Sequence, residues 1–390
     1  MKRWKIFLPL ALLVLALCAC GQKEPEQPDE PPQPEEPTIA SWNDVQWEEY
    51  LELEYAQMFS VESAGVFKRI TIDQDVYLLA PAGVEGLPFL DMPEDVTVLY
   101  QPLDNIYLQA TAAMDCFRKL DAIGAITLSG TQADGWYIPE AREAMESGQM
   151  TYAGKYSAPD YELIVNSGCD LALESTMIYH NPEVKEQLER FGVPVLVERS
   201  SYESHPLGRM EWIKLYGVLL DKEDEAKAYF NEQLEHLLPV LEQENTGKTV
   251  AFFSVTSNGS VTVRKSGDYI AKAIDLAGGV YVFHDLEAEE ENALSTMNIQ
   301  MESFYAAAKD ADILIYNSTI EADLETIAQL IAKSAPLADF KAVQNGDVWC
   351  TGKSMFQESQ SVGDMILDIH NILMEEQEAD GSLTYLYRLT

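Results

Sequence analysis

From residue 67 onward, short apolar runs alternate with amphipathic ones. FKRITIDQDVYLLAP (67–81) alternates apolar and polar positions with a period of two, as a half-buried strand does. A Gly/Pro-rich turn follows, and then a rhythm sets in. VTVLYQ (96–101) predicts a strand, NIYLQATAAMDCFRKL (105–120) a helix and AITLSG (125–130) a strand. PEAREAMESG (139–148) predicts a helix with proline at its first position and glycine at its end. APDYELIVNSG (158–168) reads as a helix, DLALE (170–174) as a strand, NPEVKEQLERFG (181–192) as a helix and PVLVE (194–198) as a strand. Such alternation with short links means a parallel sheet covered on both faces.

Helix without strand comes next: MEWIKLYGVLL (210–220), then EDEAKAYFNEQLEHLLPVLEQE (223–244). The second is about 33 Å long at the usual helical rise. Ala226, Phe230, Leu234, Leu237 and Leu241 share one face, and Pro239 predicts a kink in the last turn. The strand–helix rhythm then restarts. TVAFFSVT (249–256), DILIYNS (312–318) and DVWCTG (347–352) predict strands. DYIAKAIDLAGG (268–279), MESFYAAAKDA (301–311), ADLETIAQLIAKSAPLADF (322–340) and QSVGDMILDIHNILMEEQ (360–377) predict helices. The expected fold class is therefore α/β: two Rossmann-like lobes with mostly parallel sheets, joined by one long rigid helix, with a ligand cleft between them. The lobes are expected at 65–209 and 247–377, the interlobe segment at 210–246 and a C-terminal tail at 378–390.

The first 19 residues read as an export leader. Lys2, Arg3 and Lys5 precede an apolar run from Ile6 to Cys20, shorter than the roughly 20 residues a membrane-spanning helix needs. A simple N-terminal membrane anchor is the competing reading. The run ends Leu17-Cys18-Ala19-Cys20 before Gly21, which resembles a bacterial lipobox with Cys20 as the lipidated residue. Cys18 would put Leu17 where the peptidase wants a small side chain. Residues 20–45 form an acidic, proline-rich tether that cannot bury apolar surface.

The formal charge is −39, and losing the three basic residues of the leader makes it −42. No basic stripe offers itself to nucleic acid. Beyond Cys20 only Cys116, Cys169 and Cys350 occur, an odd number without CxxC spacing, so they read as buried small hydrophobes.

The two halves echo one another. Glu162 and Glu302 each stand near a helix start, eight residues before an aspartate that precedes an apolar strand. An acid there favours the helix dipole in any protein.

VERSSYESHPLGRMEWIKLYGVLLDKEDEAKAYF (197–230), with its ESHPLGR-EWIK core, is similar to one branch of the solute-binding lipoproteins that serve ABC importers for iron-siderophores, haem and vitamin B12. The resemblance covers about residues 65–377. It implies a monomeric, lipid-anchored, extracytoplasmic binder with no enzymatic activity, no cofactor and no metal site of its own. Its partners would be a small-molecule ligand, the permease and the permease's cytoplasmic ATPase. It also implies that Glu162 and Glu302 dock onto permease arginines, which competes with the helix-dipole reading.

In open parallel sheets ligands bind beyond the carboxyl ends of the strands. The loops there hold Tyr100, Asn105, Trp136, Tyr137, Tyr179, His180, Tyr202, Arg209, Arg264, Lys265 and Phe356. Aromatics among them suit a porphyrin, corrin or catecholate face, and the cations suit a carboxylate or anionic chelate. Each also has a structural role open to it, Tyr100 as core and Arg209 as a brace of the hinge. A bare metal ion would need about four converging ligands, yet His236 and His370 lie on helices away from any cleft. A bare oxyanion on the same fold, a secreted hydrolase and an adhesive surface lipoprotein are rival readings. No P-loop, GxGxxG, HExxH or GxSxG occurs, and adhesion requires no hinge.

Overall fold

Strands Thr151–Tyr152, Ile126–Ser129, Ile106–Leu108, Leu171–Ser175 and Val195–Glu198 lie side by side in that order, every neighbouring pair parallel. They form the sheet of the first lobe in a computed structural model that describes residues 40–84, 86–286, 295–319, 323–375 and 383–390. The leader, the tether up to residue 39 and Cys20 lie outside the described residues.

The second lobe has the strand order Thr296–Ile299, Val261–Arg264, Thr249–Val255, Ile313–Tyr316, Val348–Thr351, Leu386–Arg388. Thr249–Val255, Ile313–Tyr316 and Val348–Thr351 run parallel, while Val261–Arg264 and Leu386–Arg388 are antiparallel to their neighbours. The C-terminal segment is thus a sheet strand. Buried Asp368 holds its approach, accepting the backbone N–H groups of Thr384, Tyr385 and Leu386.

Further expectations are corrected. Ile106–Leu108 is a central strand and the helix begins only at Met114. All three strand residues are buried, and a short apolar run buried on both faces carries no period that separates strand from helix. The helix expected over 322–340 is Ile327–Lys333, capped by the Thr326/Gln329 box, and then a 3-10 turn at Ala335–Asp339. The α-helix stops before Pro336, which has no N–H for the Ala332 carbonyl and whose ring would clash with that turn; Ser334 is extended and the proline starts the 3-10 turn instead. Finally, Phe67–Ile72, Asp75–Ala80 and Thr97–Tyr100 do not belong to the first lobe's sheet. With Glu48–Glu49 and Phe59–Ala64 they make a separate five-stranded outer sheet. Ala40–Ser41, inside the expected tether, pairs with Phe89–Leu90 as a short parallel strand.

The long helix runs Glu223–Leu241. Glu223, Asp224 and Glu225 complement the dipole at its start. Ala226, Phe230, Leu237 and Val240 are buried, with Leu234 and Leu241 packed against the same core. Glu223 meets the outer sheet, pairing with Lys68 and accepting from Tyr50 Oη at 3.2 Å. Along the same helix, a Cβ on Gly363 of the second lobe would stand 3.2 Å from Leu237 Cδ1. The helix therefore runs from the outer sheet to the second lobe. Beside it, a Cβ on Gly217 would sit 2.6 Å from Ala226 Cβ, so only glycine lets the Ile213–Leu220 helix come this close.

The ESHPLGR-EWIK stretch does its work in this hinge. Glu211, fully buried, accepts the backbone N–H groups of Glu54 (2.9 Å), Tyr55 (2.7 Å) and Ala56 (2.8 Å) and pairs with Lys214 at 2.6 Å. Glu203 accepts those of Gln57 (3.0 Å) and Met58 (2.9 Å) and the Trp212 indole N–H (3.0 Å). A Cβ at Gly208 would come within 2.9 Å of Tyr55 O. Two carboxylates and a glycine thus strap the chain entering the outer sheet onto the hinge.

Candidate functional site

The lobes meet where the loops after Ile106–Leu108 and Ile126–Ser129 face the segment after Val348–Thr351. Pro139 starts the helix that closes the second of these loops, which fixes Gly135–Tyr137 against the other lobe. Tyr137 N–H donates to Gln357 Oε1 at 2.7 Å, and Gln357 Nε2 donates to Gly135 O at 2.8 Å. Ser359 Oγ donates to Ala112 O, and Gln360 N–H to Asp115 Oδ2, both at 2.8 Å. Arg118 lies 2.6 Å from Asp115 and 3.0 Å from Glu358. Burial pushes the Asp115 carboxyl up, opposed by Arg118 and the Gln360 amide. These contacts form a second tie between the lobes, apart from the helix.

At the mouth of this interface the Tyr137 and Phe356 rings stand edge to face with centroids 6.0 Å apart, both about two-fifths exposed. Behind Phe356 is a cavity of about 70 Å³. Arg209 lines it, its guanidinium 3.8 Å from the centre of the Tyr269 ring. So Tyr137, Arg209 and Phe356 are brought together. Tyr179 and Tyr202 form a second exposed group, flanking Arg199 at 5.6 and 5.2 Å from their ring centres, with His180 exposed beside them. Arg199 pairs with Asp73 of the outer sheet's hairpin.

The other candidates lie elsewhere. Trp136 has no exposed surface, its indole 3.3 Å from Ser129 Oγ. Tyr100 is exposed, but at the end of an outer-sheet strand. Asn105 precedes Ile106–Leu108, at the opposite end of the strands from the rim, and donates to Ser167 O at 2.5 Å. Arg264 ends an antiparallel strand, so it sits level with mid-strand Thr249–Val255, 3.4 Å from Asp268. Lys265 is buried beside it.

Sequence reasoning did not single out Tyr269, Gln357, Glu358 or Tyr385. The first three sit in or beside predicted loops, and only the strand pairing of Leu386–Arg388 brings Tyr385 near. Among the described residues no group of three or more His, Cys, Asp or Glu converges as a metal site. Cys116, Cys169 and Cys350 are buried and free.

Glu162 and Glu302 are exposed in the first turns of Tyr161–Asn166 and Met301–Ala308, and neither side chain has a hydrogen bond or ion pair among the described residues. Asp160, not Glu162, caps its helix, accepting from Leu163 N–H at 3.0 Å. A cavity of about 540 Å³ lies away from the rim. Gln101, Asp104, Asp121, Asp221 and Lys222 line it, next to the amino ends of the parallel strands.

One buried acid stands apart. Glu174 is fully buried in the first lobe's sheet, both carboxylate oxygens lack a partner among the described residues, and burial pushes its carboxyl up to about 8. Because this lies above the ordinary value of 4.5, the fold holds the proton more tightly than the unfolded chain. Stability is then lost as pH rises from about 4.5 to about 8, and the loss is about 3 kcal/mol by pH 7. Glu174→Met is expected to raise the unfolding free energy by that order at neutral pH and to flatten its pH dependence, as urea titrations at pH 5 and 7.5 will read.

A family model described as periplasmic binding protein matches residues 111–354. The chain is 27% identical to an uncharacterized lipoprotein of Methanocaldococcus jannaschii over 291 residues, 73% of this chain and 68% of that one. A periplasmic heme binding protein from Pseudomonas aeruginosa superposes with TM-score 0.56 at 15% identity, covering 74% of this chain and 98% of that one. An ABC-type Fe3+-hydroxamate transport system protein from Saccharomonospora viridis gives 0.54 at 19%, covering 70% and 93%. A periplasmic vitamin B12 binding protein of Vibrio cholerae gives 0.51 at 16%, covering 71% and 99%. At such identities these structures speak for the fold alone.

Proposed function

The chain belongs to the periplasmic binding protein family, whose members bind substrates and work with ABC importers, and from that premise we propose that it is a lipid-anchored, extracytoplasmic binder delivering an iron chelate, haem or corrinoid to a permease. It carries out no chemistry of its own. The observation that carries this reading is the pair of half-exposed rings, Tyr137 and Phe356, one from each lobe, at the mouth of the interface with Arg209 behind them. Large flat ligands are held by such apolar faces with a few oriented polar groups. Tyr179, His180 and Tyr202 extend the aromatic rim on the first lobe.

The neighbouring folds include binders named for heme, Fe3+-hydroxamate and vitamin B12. The M. jannaschii relative is named a lipoprotein, which supports lipidation at Cys20. In this reading Glu162 and Glu302, unpaired and one on each lobe, dock onto permease arginines.

Calorimetric titration of residues 40–390 with ferric siderophores, haemin and cobalamin tests it. One class is expected to bind one to one with a dissociation constant of about 1 μM or tighter. Failure of all three classes overturns the assignment.

A further inference from the structure

We propose that the cavity behind Phe356 is a binding site for a single carboxylate, held by Arg209. It deepens the reading above by placing a charged subsite beneath the aromatic rim, and its ligand-borne form rests on that reading.

Arg209 comes from the hinge segment and Tyr269 from the second lobe, while Phe356, Glu358 and Ser361 come from the segment that ties the lobes. Tyr385 from the C-terminal segment completes the wall. The guanidinium lies over the Tyr269 ring, which fixes its plane and leaves its N–H edge to find acceptors. Among the described residues it has no hydrogen-bond or ion-pair partner, although it is half-buried and bears five donors. A carboxylate matches that fork with two parallel hydrogen bonds. The hydroxyl of Tyr385 lies beside Ser361 and Glu358 in the same wall.

Glu358 lines the site, and Glu198 is close enough to Arg209 to interact with its charge. Glu358 is occupied by Arg118 at 3.0 Å. Glu198, near Arg209, accepts Ser200 N–H at 2.8 Å, and burial raises its carboxyl and so disfavours its charge. Size sets the ligand class. About 70 Å³ is far below the roughly 300 Å³ or more of a pocket for a whole cofactor. It admits a carboxylate or a few waters. The occupant is either the acidic arm of a bulky ligand lying on Tyr137 and Phe356, or a free small carboxylate.

Wild-type residues 40–390 with ¹⁵N-labelled arginine are titrated with acetate, and with acetamide as the uncharged isostere, watching the Arg209 Nε–H resonance. Acetate is expected to shift it saturably with a millimolar dissociation constant, and acetamide is expected not to. Arg209→Lys should weaken acetate binding about tenfold, read from the line width of the acetate signal. An Arg209 resonance indifferent to acetate overturns the site, and needs no variant to fold.

Haemin and haemin dimethyl ester then separate the sources. If the ligand supplies the carboxylate, Arg209→Gln lowers haemin affinity at least about tenfold and leaves the ester unchanged. Equal haemin affinity for wild type and variant, with the acetate response intact in wild type, assigns the site to a free carboxylate. An acetate response without binding of any chelate keeps this site and overturns the importer reading.

Discussion

Charge reversal at both Glu162 and Glu302 is expected to abolish permease-dependent uptake while ligand affinity stays within about twofold of wild type. Both carboxylates are exposed and lack partners, so lysine at either position disturbs no contact of the fold. One exposed ion pair contributes little, on the order of 0–1 kcal/mol. Two pairs held apart on a rigid body do more, because they select a single orientation and speed encounter, and a reversed pair adds repulsion. Each single reversal should therefore slow uptake and the double reversal stop it. Uptake of ligand by cells carrying the double variant, alongside calorimetry on the same protein, reads both halves. Unimpaired uptake would return both residues to the helix-dipole reading.

The largest effect on stability is expected at Glu211. Its carboxylate accepts three backbone N–H groups from Glu54 to Ala56 and neutralises Lys214, all beside the hinge. Glu211→Ala leaves the buried Lys214 ammonium without its counter-charge and leaves those amides without an acceptor. Removing one member of a buried pair costs about 3–5 kcal/mol. Urea unfolding should show a loss of this order, with Glu211→Gln intermediate because its amide oxygen still accepts. A loss below about 1 kcal/mol would mean the strap over residues 54–58 is not part of the cooperative fold.

What could be read from the chain follows from which interactions are local. The strand–helix rhythm and the amphipathic face of 223–241 are local, and both lobes and their connecting helix were legible from them. Ile106–Leu108 was not, since burial on both faces erases the period that separates strand from helix. The strand Val261–Arg264 had a signal, the Asn258-Gly259 hairpin dipeptide with Gly259 at φ +84°, that the helix-biased rhythm obscured. Tyr100 and Asn105 fall at the rim only if 96–101 joins the first lobe's sheet, and that strand joins the outer sheet instead. No residue in that strand encodes its partner.

The ESHPLGR-EWIK stretch illustrates the same limit. It carried the family resemblance and nothing about ligand, and physically it is occupied with holding residues 54–58. Arg209 is the exception within it, the residue left without an acceptor.

The claim that two halves on a stiff rod close over a chelate is tested most directly by the distance between spin labels placed beside Glu162 and Glu302, measured without ligand and at saturation. With the 223–241 helix and the Tyr137–Gln357 and Arg118–Glu358 contacts all holding the interface, the distance is predicted to change by no more than about 2 Å. A change several times larger, or two separate distances in the unliganded protein, would contradict it.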